Sequence, residues 1–493
     1  MRLQEDVIRL ILGLKIKQLR TDKNISLTDL ANKTGISVSY LNEIEKGKKH
    51  PKPSKIAVIA DVLGVNYDYL VSLQLSKRLQ PVGELLRSNI LSELPLEHFG
   101  LDISRLLDLF ATAPAKLSAF VNTLLEISRA FDLRVEQFYF SALRSYQELH
   151  DNYFEELELE VERFLEHYQL SPDQTPSYEQ LAGILSTVFN INIETETWSQ
   201  YPELTPLRSV FIPGVQPRLL LNPNLTEQQR SFAVAREIGF QALQLQPRPY
   251  TSTWVRVGSF EEVLNNLKAS YFAGALLLNR DRLVQDLEAF FEQPTWQPKL
   301  LLQIMENYQT SPETFLHRLT SLLPRFFNIK QLFFLRFHHD AGSDNYSLTK
   351  ELHLAGLHNP HASFLNEHYC RRWVSLTLFQ ELEQQKLSGN LRQPLVGIQR
   401  SSYINSTNEY LVLALAQPTE SMNGTISIGL LINENLRRKV RFLNDPAILQ
   451  RLVNETCERC PALDCLERAS PPLILEKQQW QEKVVQTLEV LKD

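Results

Sequence analysis

The sequence has little of several features that define whole classes of protein. It holds only 4 Cys and 3 Met in 493 residues, and its 17 Gly form no phosphate-binding loop of the P-loop or dinucleotide kind. Its long apolar stretches, 271–278 and 410–416 among them, fall far short of the roughly 18 residues that cross a bilayer. The first ten residues include Glu5 and Asp6 rather than a basic segment followed by a long apolar core. These absences exclude a membrane-spanning protein and predict a cytosolic one.

What the sequence does contain is the balance of an ordinary globular protein, with 43% hydrophobic and 22% charged residues. The formal net charge of −6 argues on average against a nucleic-acid partner. The average hides a segment, however, because residues 1–72 carry twelve Lys or Arg against eight Asp or Glu. A mildly basic head on an acidic body predicts that any contacts with phosphates are made near the N-terminus.

Between Leu14 and Ser72 the apolar residues recur at helical spacing in short blocks, which predicts about five short helices packed in a bundle. Ser26 is expected to cap one helix, and Gly35 to end it in a left-handed conformation. The next helix starts at about Ser37 and turns its polar residues outward. The predicted DNA contacts are the residues on this helix and directly after it that suit base edges and phosphates: Ser37, Ser39, Tyr40, Asn42, Lys46, Lys48 and Lys49.

The stretch SLTDLANKTGISVSYLNEIEKGKKHPKPSKIAVIADVLGV resembles the XRE (Cro/repressor-type) helix-turn-helix family, over residues 8–72. The resemblance implies that the helix from Ser37 to Lys46 is the recognition helix, and that Arg20 and Glu45 form a structural ion pair. Leu27 stands where many members have glutamine, so no inherited base contact is expected on the second helix. A helical bundle that serves only for protein contacts is the alternative.

Residues 74–172 have helical periodicity almost throughout and several acidic amphipathic runs. Beside a DNA-reading head, such helices are expected to build the homodimer that a two-fold operator requires. A monomeric helical spacer is the alternative.

A Pro-containing turn at 170–180 leads to short β-rich segments and then to PRLLLNPNLTEQQRSFAVAREIGFQALQLQ. This stretch resembles the active-site helix of the ImmA/IrrE metallopeptidase family, which normally carries H-E-x-x-H with two zinc-binding histidines and a glutamate base. Here the five positions are Arg236, Glu237, Ile238, Gly239 and Phe240. Where the resemblance expects a third ligand, the helix carries Asn265, Asn266 and Lys268. We therefore expect the scaffold without its chemistry, with its cleft free for another ligand; a peptidase that works with Glu237 alone is the alternative from another class.

All cysteines lie in the last quarter of the chain: Cys370, Cys457, Cys460 and Cys465. In a cytosolic chain such a cluster indicates a metal site rather than a disulfide framework. The ligand rules leave three interpretations open, namely an iron–sulfur cluster, a zinc ion and unligated core cysteines. His368 is a further candidate ligand, or else an exposed loop residue.

The tail VNETCERCPALDCLERASPP resembles the C-terminal signature of the short-chain fatty acyl transcriptional regulator family, whose members join an XRE head, a degenerate ImmA/IrrE domain and a cysteine-bearing sensor domain. The resemblance implies a regulator of short-chain acyl-CoA metabolism that binds acyl-CoA and carries a [4Fe–4S] cluster. It also implies that Cys370 is the family's lone upstream cysteine.

Together these observations predict an α+β multidomain fold. Its parts are a helix-turn-helix domain at 1–73, a helical dimerisation region at 74–172, a degenerate peptidase-like domain at 173–323 and a sensor domain at 324–493, in which QLFFLRF, EYLVLALAQ and TISIGLLI are strands. The predicted function is operator binding by a homodimer without catalysis, controlled by acyl-CoA or by the cluster. A redox or oxygen sensor with no acyl-CoA sensing is the alternative of the same class.

Overall fold

The computed structural model describes residues 2–73, 135–251, 257–339, 346–354, 367–387, 394–404, 406–417 and 423–491. The predicted helical dimerisation region therefore lies largely outside the described residues. The chain divides into two compact units, Met1–Ala142 with Gly258–Phe260, and Leu143–Val257 with Glu261–Asp493. Within the described ranges, no helix is both long and apolar enough to cross a membrane.

Helices make up most of the described chain. They are α1 (Arg2–Asp22), α2 (Leu27–Thr34), α3 (Val38–Glu45), α4 (Pro53–Val62), α5 (Tyr67–Val71), α6 (Val135–Leu149), α7 (Glu155–His167), α8 (Tyr178–Thr187), α9 (Glu227–Ala242), α10 (Phe260–Leu277), α11 (Arg280–Phe291), α12 (Pro298–Asn307), α13 (Pro312–Phe327), α14 (Val374–Leu387), α15 (Glu434–Lys439) and α16 (Leu473–Val490).

The strands form two sheets. They are β1 (Asn192–Glu194), β2 (Ser209–Ile212), β3 (Arg218–Leu221), β4 (Leu332–His339), β5 (Tyr346–His353), β6 (Leu395–Tyr403), β7 (Glu409–Gln417), β8 (Asn423–Leu431) and β9 (Leu449–Val453). The smaller sheet has the order β1-β3-β2, and the larger has the order β5-β4-β8-β7-β6-β9. A helical head followed by helices with mixed sheets confirms the predicted α+β multidomain fold class.

The five helices α1–α5 pack around one apolar core in the first unit. Leu30, Leu41, Ile44 and Ile59 have no exposed surface there. These residues recur at helical spacing on the inner faces, so burial of the apolar stripes holds the short helices together, since helices of this length are marginal alone. The prediction of about five short helices in this segment is confirmed.

The six-stranded sheet is covered on both faces, which follows from the alternation along its strands. On β4, Phe333, Leu335 and Phe337 pack with α14, whereas Leu332 and Phe334 pack on the opposite face with α11–α13. Gly429 on β8 lies against the ring of Phe333, which leaves no room for an added Cβ. Strands with both faces buried explain why the sequence of this region reads as continuous apolar runs.

Candidate functional site

The helix-turn-helix geometry of the head is set by local capping. The hydroxyl of Ser26 accepts a hydrogen bond from the Asp29 amide at 3.0 Å, and Asp29 bonds back in a capping box. Gly35 ends α2 with a φ of 67°, the left-handed conformation that glycine adopts without strain. Ser37 then caps α3 through the amide of Tyr40 at 3.3 Å. The predicted start of the recognition helix is thus within one residue of the observed start.

The predicted DNA contacts lie on one accessible part of the head. Ser39, Asn42, Lys48 and Lys49 are exposed, while Tyr40 and Lys46 are half-buried. The ammonium of Lys55 on α4 stands 4.5 Å from the centre of the Tyr40 ring. The prediction omitted Lys55, whose proximity to α3 depends on how α4 folds back and not on sequence spacing. Polar residues and cations therefore share the surface that a major groove would meet.

The ion pair beneath α3 is as the family resemblance implies. Arg20 on α1 binds Glu45 through two bonds, Nε to Oε1 at 2.7 Å and Nη2 to Oε2 at 2.9 Å. Side-chain exposure is 16% for Arg20 and 5% for Glu45, so both groups are largely desolvated. The pair ties α1 to the last turn of α3.

We expect Arg20→Met to destabilise the head by about 2–3 kcal/mol, because the Glu45 carboxylate would remain buried without its partner. Hydrogen exchange at the amides of Leu41 and Ile44 in the full chain measures this loss. The matched control is Arg163→Met, which removes the exposed pair with Glu160 and should cost well under about 1 kcal/mol. Equal protection in the two variants would show that the Arg20 pair does not hold α3.

The helix that resembles a peptidase active-site helix is α9, which begins with a capping box between Thr226 and Gln229. The residues at the five motif positions, Arg236 to Phe240, are all buried. Glu237 is 2% exposed, so the would-be catalytic base does not face solvent. Its surroundings therefore determine whether Glu237 can act as a general base.

A guanidinium is bound to Glu237 at this site. Both terminal nitrogens of Arg248 donate to the Glu237 carboxylate at 2.6 Å, and the two side chains are 3% and 2% exposed. The guanidinium carbon lies 4.0 Å from the centre of the Phe240 ring and 4.1 Å from that of Phe211 on β2. Phe240 stands where the motif has its second histidine. Glu237, Phe240 and Phe211 thus surround the Arg248 guanidinium, a cation that belongs to the protein itself.

The first histidine position is also committed to a protein contact. Arg236 donates through Nε to Oδ1 of Asn266 at 3.1 Å and binds the same oxygen through Nη2. Burial lowers the pKa of Arg236 to about 10, and Arg248 acts in the same direction while Glu237 opposes it. Asn265, in the region of the expected third ligand, donates to the carbonyl of Pro247 at 2.9 Å.

These residues do not fit a zinc ion, which needs about three protein ligands from thiolate, imidazole or carboxylate. Two of the positions carry guanidinium or phenyl groups, and the carboxylate of Glu237 is bidentate to Arg248. The expectation of a cleft free for another ligand is wrong at Glu237. Among the described residues, Arg248 occupies both oxygens of this carboxylate. Arg248 was missed because its pairing follows from the fold of residues 243–251 and not from a motif.

The cysteines of the two distant segments are brought together. The Cys370 amide donates to the carbonyl of Glu455 at 3.1 Å, and the Cys457 amide donates to that of His368 at 2.8 Å. These bonds flank an antiparallel bridge between Tyr369 and Thr456. Cys370, Cys457 and Cys460 are buried, and Cys465 is half-buried. The structure thus joins the upstream cysteine to the C-x2-C segment.

Charged side chains fix the two segments that carry Cys370, Cys457, Cys460 and Cys465, which together are called the cysteine centre. Glu367 binds Arg459 through two oxygens, with the closest contact at 2.6 Å, and Glu458 accepts from the His368 amide at 2.9 Å. Nδ1 of His368 lies 2.7 Å from the Glu458 carboxylate. The His368 side chain is 31% exposed. Its contact with Glu458 ties the segment before Cys370 to the C-x2-C segment.

Arg468 organises the loop from within. Its terminal nitrogens donate to the carbonyls of Cys457 at 2.7 Å, Cys460 at 2.9 Å and Ala462 at 2.7 Å. The Ala469 amide points at Sγ of Cys457 at 3.4 Å. The sequence reasoning missed Arg468 because its partners are backbone carbonyls, which leave no side-chain pattern in a sequence.

The electrostatics at Cys370 reflect its burial. The pKa of its thiol is raised to about 11, first by burial and then by the neighbouring Cys457 and Cys460, although backbone hydrogen bonds from Asn454 and Arg372 act in the opposite direction. Such a thiol stays protonated at neutral pH unless a metal cation replaces the proton. The donor type and the convergence of the two segments fit a thiolate-bound group.

The described residues nevertheless show no ready single-ion site. In the described part of the chain, no three His, Cys, Asp or Glu side chains are grouped so that they could hold one metal ion. A lone zinc ion requires all its sulfurs about 2.3 Å from one point. The backbone bonds join the segments that carry Cys370 and Cys457, but the four thiols are not grouped around a single point.

Comparison with known proteins places two of these parts. Residues 16–70 match the helix-turn-helix family, and residues 191–320 match the IrrE N-terminal-like domain family. No curated protein matches the chain. Among solved structures, a Mycobacterium tuberculosis transcriptional regulator is 18% identical, with a TM-score of 0.46, over 67% of this chain and 94% of that chain. Residues 16–70 therefore carry a helix-turn-helix domain, and residues 191–320 carry an IrrE-like domain in which the zinc-ligand positions hold other residues.

Proposed function

We propose that this chain is a DNA-binding transcriptional regulator that binds a two-fold operator as a homodimer. We also propose that Cys370, Cys457, Cys460 and Cys465 hold a [4Fe–4S] cluster, and that a short-chain acyl-CoA is the effector. The observation that carries the cluster is the pair of backbone bonds that joins the Cys370 segment to the C-x2-C segment. Without those bonds the upstream thiol would have no fixed relation to the other three, which lie about ninety residues further along the chain.

The cluster is preferred to zinc because of the likeness of the C-terminal tail to that of the fatty acyl regulators, since four thiolates suit either group. When bound, the cluster would supply a one-electron redox centre. The protein's own groups would hold the cysteines, exclude water at the buried ones and donate the Ala469 amide towards Cys457.

The acyl-CoA effector rests on the likeness of the C-terminal tail to that of the fatty acyl regulators. An effector changes operator affinity only by binding the DNA-competent and incompetent states differently, and such coupling is typically about 1–3 kcal/mol. Redox or oxygen sensing without acyl-CoA is the second candidate, favoured by the half-buried position of Cys465, which an oxidant can reach.

The proposal includes no catalysis. The bidentate Glu237–Arg248 pair supports this part, because a general base must be able to take a proton and this carboxylate is bound on both oxygens. A peptidase with a DNA-binding head is therefore disfavoured. Cleavage of a peptide library by the wild-type chain that Glu237→Gln abolishes would overturn this part of the proposal.

Purification without air tests the cluster. We expect a brown protein with iron and acid-labile sulfide in equal amounts, and we expect Cys460→Ser to lose most of both. Leu466→Ser is the matched control, since Leu466 lies beside Cys465 and is 98% exposed. A colourless preparation that contains zinc would contradict the cluster. Mass spectrometry of the same sample separates the two effector candidates, since co-purified acyl-CoA supports metabolite sensing.

A further inference from the structure

The helix α16 presents an apolar surface that the described parts of the chain leave uncovered. None of its residues, Leu473–Val490, is buried. Large exposed apolar side chains concentrate in this end of the chain, and they are Leu449, Leu452, Leu463, Leu466, Leu473, Trp480, Val484, Val485, Leu488, Val490 and Leu491. Contiguous apolar surface of this kind marks an interaction site more often than chance exposure does.

The apolar residues of α16 form a stripe along one face. Trp480, Val484, Leu488 and Leu491 follow one another at spacings of four, four and three, which places them on one side of a helix. Trp480 is 65% exposed and Leu488 is 54% exposed. A helix with no fully buried side chain gains little from packing within the described chain, and isolated helices of this length are marginal in water. The stripe therefore needs a partner to be stable.

The charges beside the stripe indicate which partner. Glu476 and Lys483 lie two turns apart on the same flank. In an interface with a two-fold axis, residue i of one copy meets residue j of the other, and j meets i. An antiparallel pair of α16 helices places Glu476 of each copy opposite Lys483 of the other, with the two Trp480 rings near the axis. The flank is thus complementary to itself.

The start of α16 is fixed to the cysteine centre. The amides of Ile474 and Leu475 donate to the carbonyl of Glu458 at 3.2 and 3.1 Å, and the side chain of Glu458 holds His368. Leu463 and Leu466 are exposed in the loop just before the helix. In the antiparallel pair, Leu488 and Leu491 extend towards that loop of the second copy. The loop enlarges the apolar contact towards the roughly 800 Å² per partner of a stable interface.

We propose that α16 is a self-association surface, occupied by α16 of a second copy of this chain in antiparallel orientation. The inference rests on the proposed homodimeric function, because one helix-turn-helix per chain reads a two-fold operator only as a pair. It adds a contact beyond the predicted dimerisation region at 74–172 and puts that contact next to the cysteine centre.

A photo-cross-linking amino acid in place of Trp480, in the full chain without DNA, tests the contact directly. We expect a covalent dimer whose cross-link maps to α16 of the other copy, near Gln479 or position 480. A cross-link within the same chain, to another region of a second copy, or none at all, overturns the proposal. The readout needs no operator, so it remains informative if DNA binding by the head fails.

Sedimentation measures the strength of the contact. Val484→Asp and Leu488→Asp should each weaken the dimer roughly tenfold or more, since each would bury two unpaired carboxylates at the interface. Leu159→Asp is the matched control, because Leu159 is an exposed leucine on another helix, α7. Dimer affinity that is unchanged in the α16 variants would contradict the proposal.

Charge reversal tests the orientation. Glu476→Lys and Lys483→Glu each place like charges opposite one another in the antiparallel pair and should weaken association, whereas the double variant should restore it. No restoration in the double variant would exclude the antiparallel pairing.

Discussion

Replacing Arg248 with methionine is expected to lower the free energy of unfolding of the peptidase-like domain by about 3–5 kcal/mol. The physical reason is that Glu237, at 2% exposure, would keep its charge in a buried place after losing both of its guanidinium bonds. Phe211 and Phe240 would also lose the cation between their rings. Hydrogen exchange at the amides of α9 in the full chain measures the loss.

The companion variant separates charge from packing. Glu237→Leu together with Arg248→Met replaces the whole pair by apolar groups, and such replacements are close to neutral in other proteins. We expect the double variant to recover most of the stability that Arg248→Met loses. The control is Arg325→Met, which removes an exposed pair with Glu155 and should change stability by less than about 1 kcal/mol. If Arg248→Met costs no more stability than this control, the Arg248 guanidinium does not compensate the buried charge of Glu237.

Replacing Tyr40 and Asn42 with alanine is expected to abolish most of the preference for the operator over random duplex. Each side chain that contacts a base edge contributes about 1–3 kcal/mol of discrimination, so the pair accounts for roughly a hundredfold. Nonspecific affinity should change much less, because it comes from phosphate contacts. Competition binding with operator and random duplex in the same salt measures both quantities.

The lysines that follow α3 should contribute to affinity without contributing to sequence preference. Lys48→Ala and Lys49→Ala are both expected to weaken operator and random duplex alike, and each should reduce the salt dependence by about one counterion. Ser37 is a poor probe of base reading, since its hydroxyl caps α3 and its loss would unsettle the helix itself. Equal loss of specific and nonspecific binding in the Tyr40 and Asn42 variants would show that α3 is not the recognition helix.

Features governed by neighbouring residues were predictable from the sequence. The Ser26 cap, the left-handed Gly35 and the start of α3 depend on a few adjacent residues, and the structure places all three where they were expected. Strand β7 coincides with the predicted run EYLVLALAQ, because a strand buried on both faces is continuously apolar. The loss of the zinc ligands was likewise visible, since the motif has a fixed spacing.

Features that depend on distant contacts were not predictable in the same way. The pairing of Arg248 with Glu237 requires the chain to reverse after α9, and the role of Arg468 is carried by backbone carbonyls. Lys55 reaches Tyr40 only because of where the folded chain places α4, which packs against α2 and α5. The junction of Cys370 with the C-x2-C segment was expected from the family resemblance, whereas the ion pairs that hold it emerged only from the folded chain.

In the proposed homodimer, the cysteine centre and α16 together would give a physical route from ligand state to DNA binding. Glu458 lies between Cys457 and Cys460, and its carbonyl anchors the first turn of α16. A change at the cysteines can therefore alter the direction in which α16 leaves the domain, and with it the pairing of two copies. If one dimer reads two half-sites, as proposed, a shift in pairing would change operator affinity without any change in the head.

The central claim is that the head selects particular duplex sequences, and selection from a random duplex library by the full-length protein tests it most directly. The account predicts enrichment of one motif with two-fold-related halves, and loss of that enrichment in the Tyr40→Ala, Asn42→Ala double variant. Bound duplexes with no common motif, from protein that retains its affinity for DNA, would contradict it.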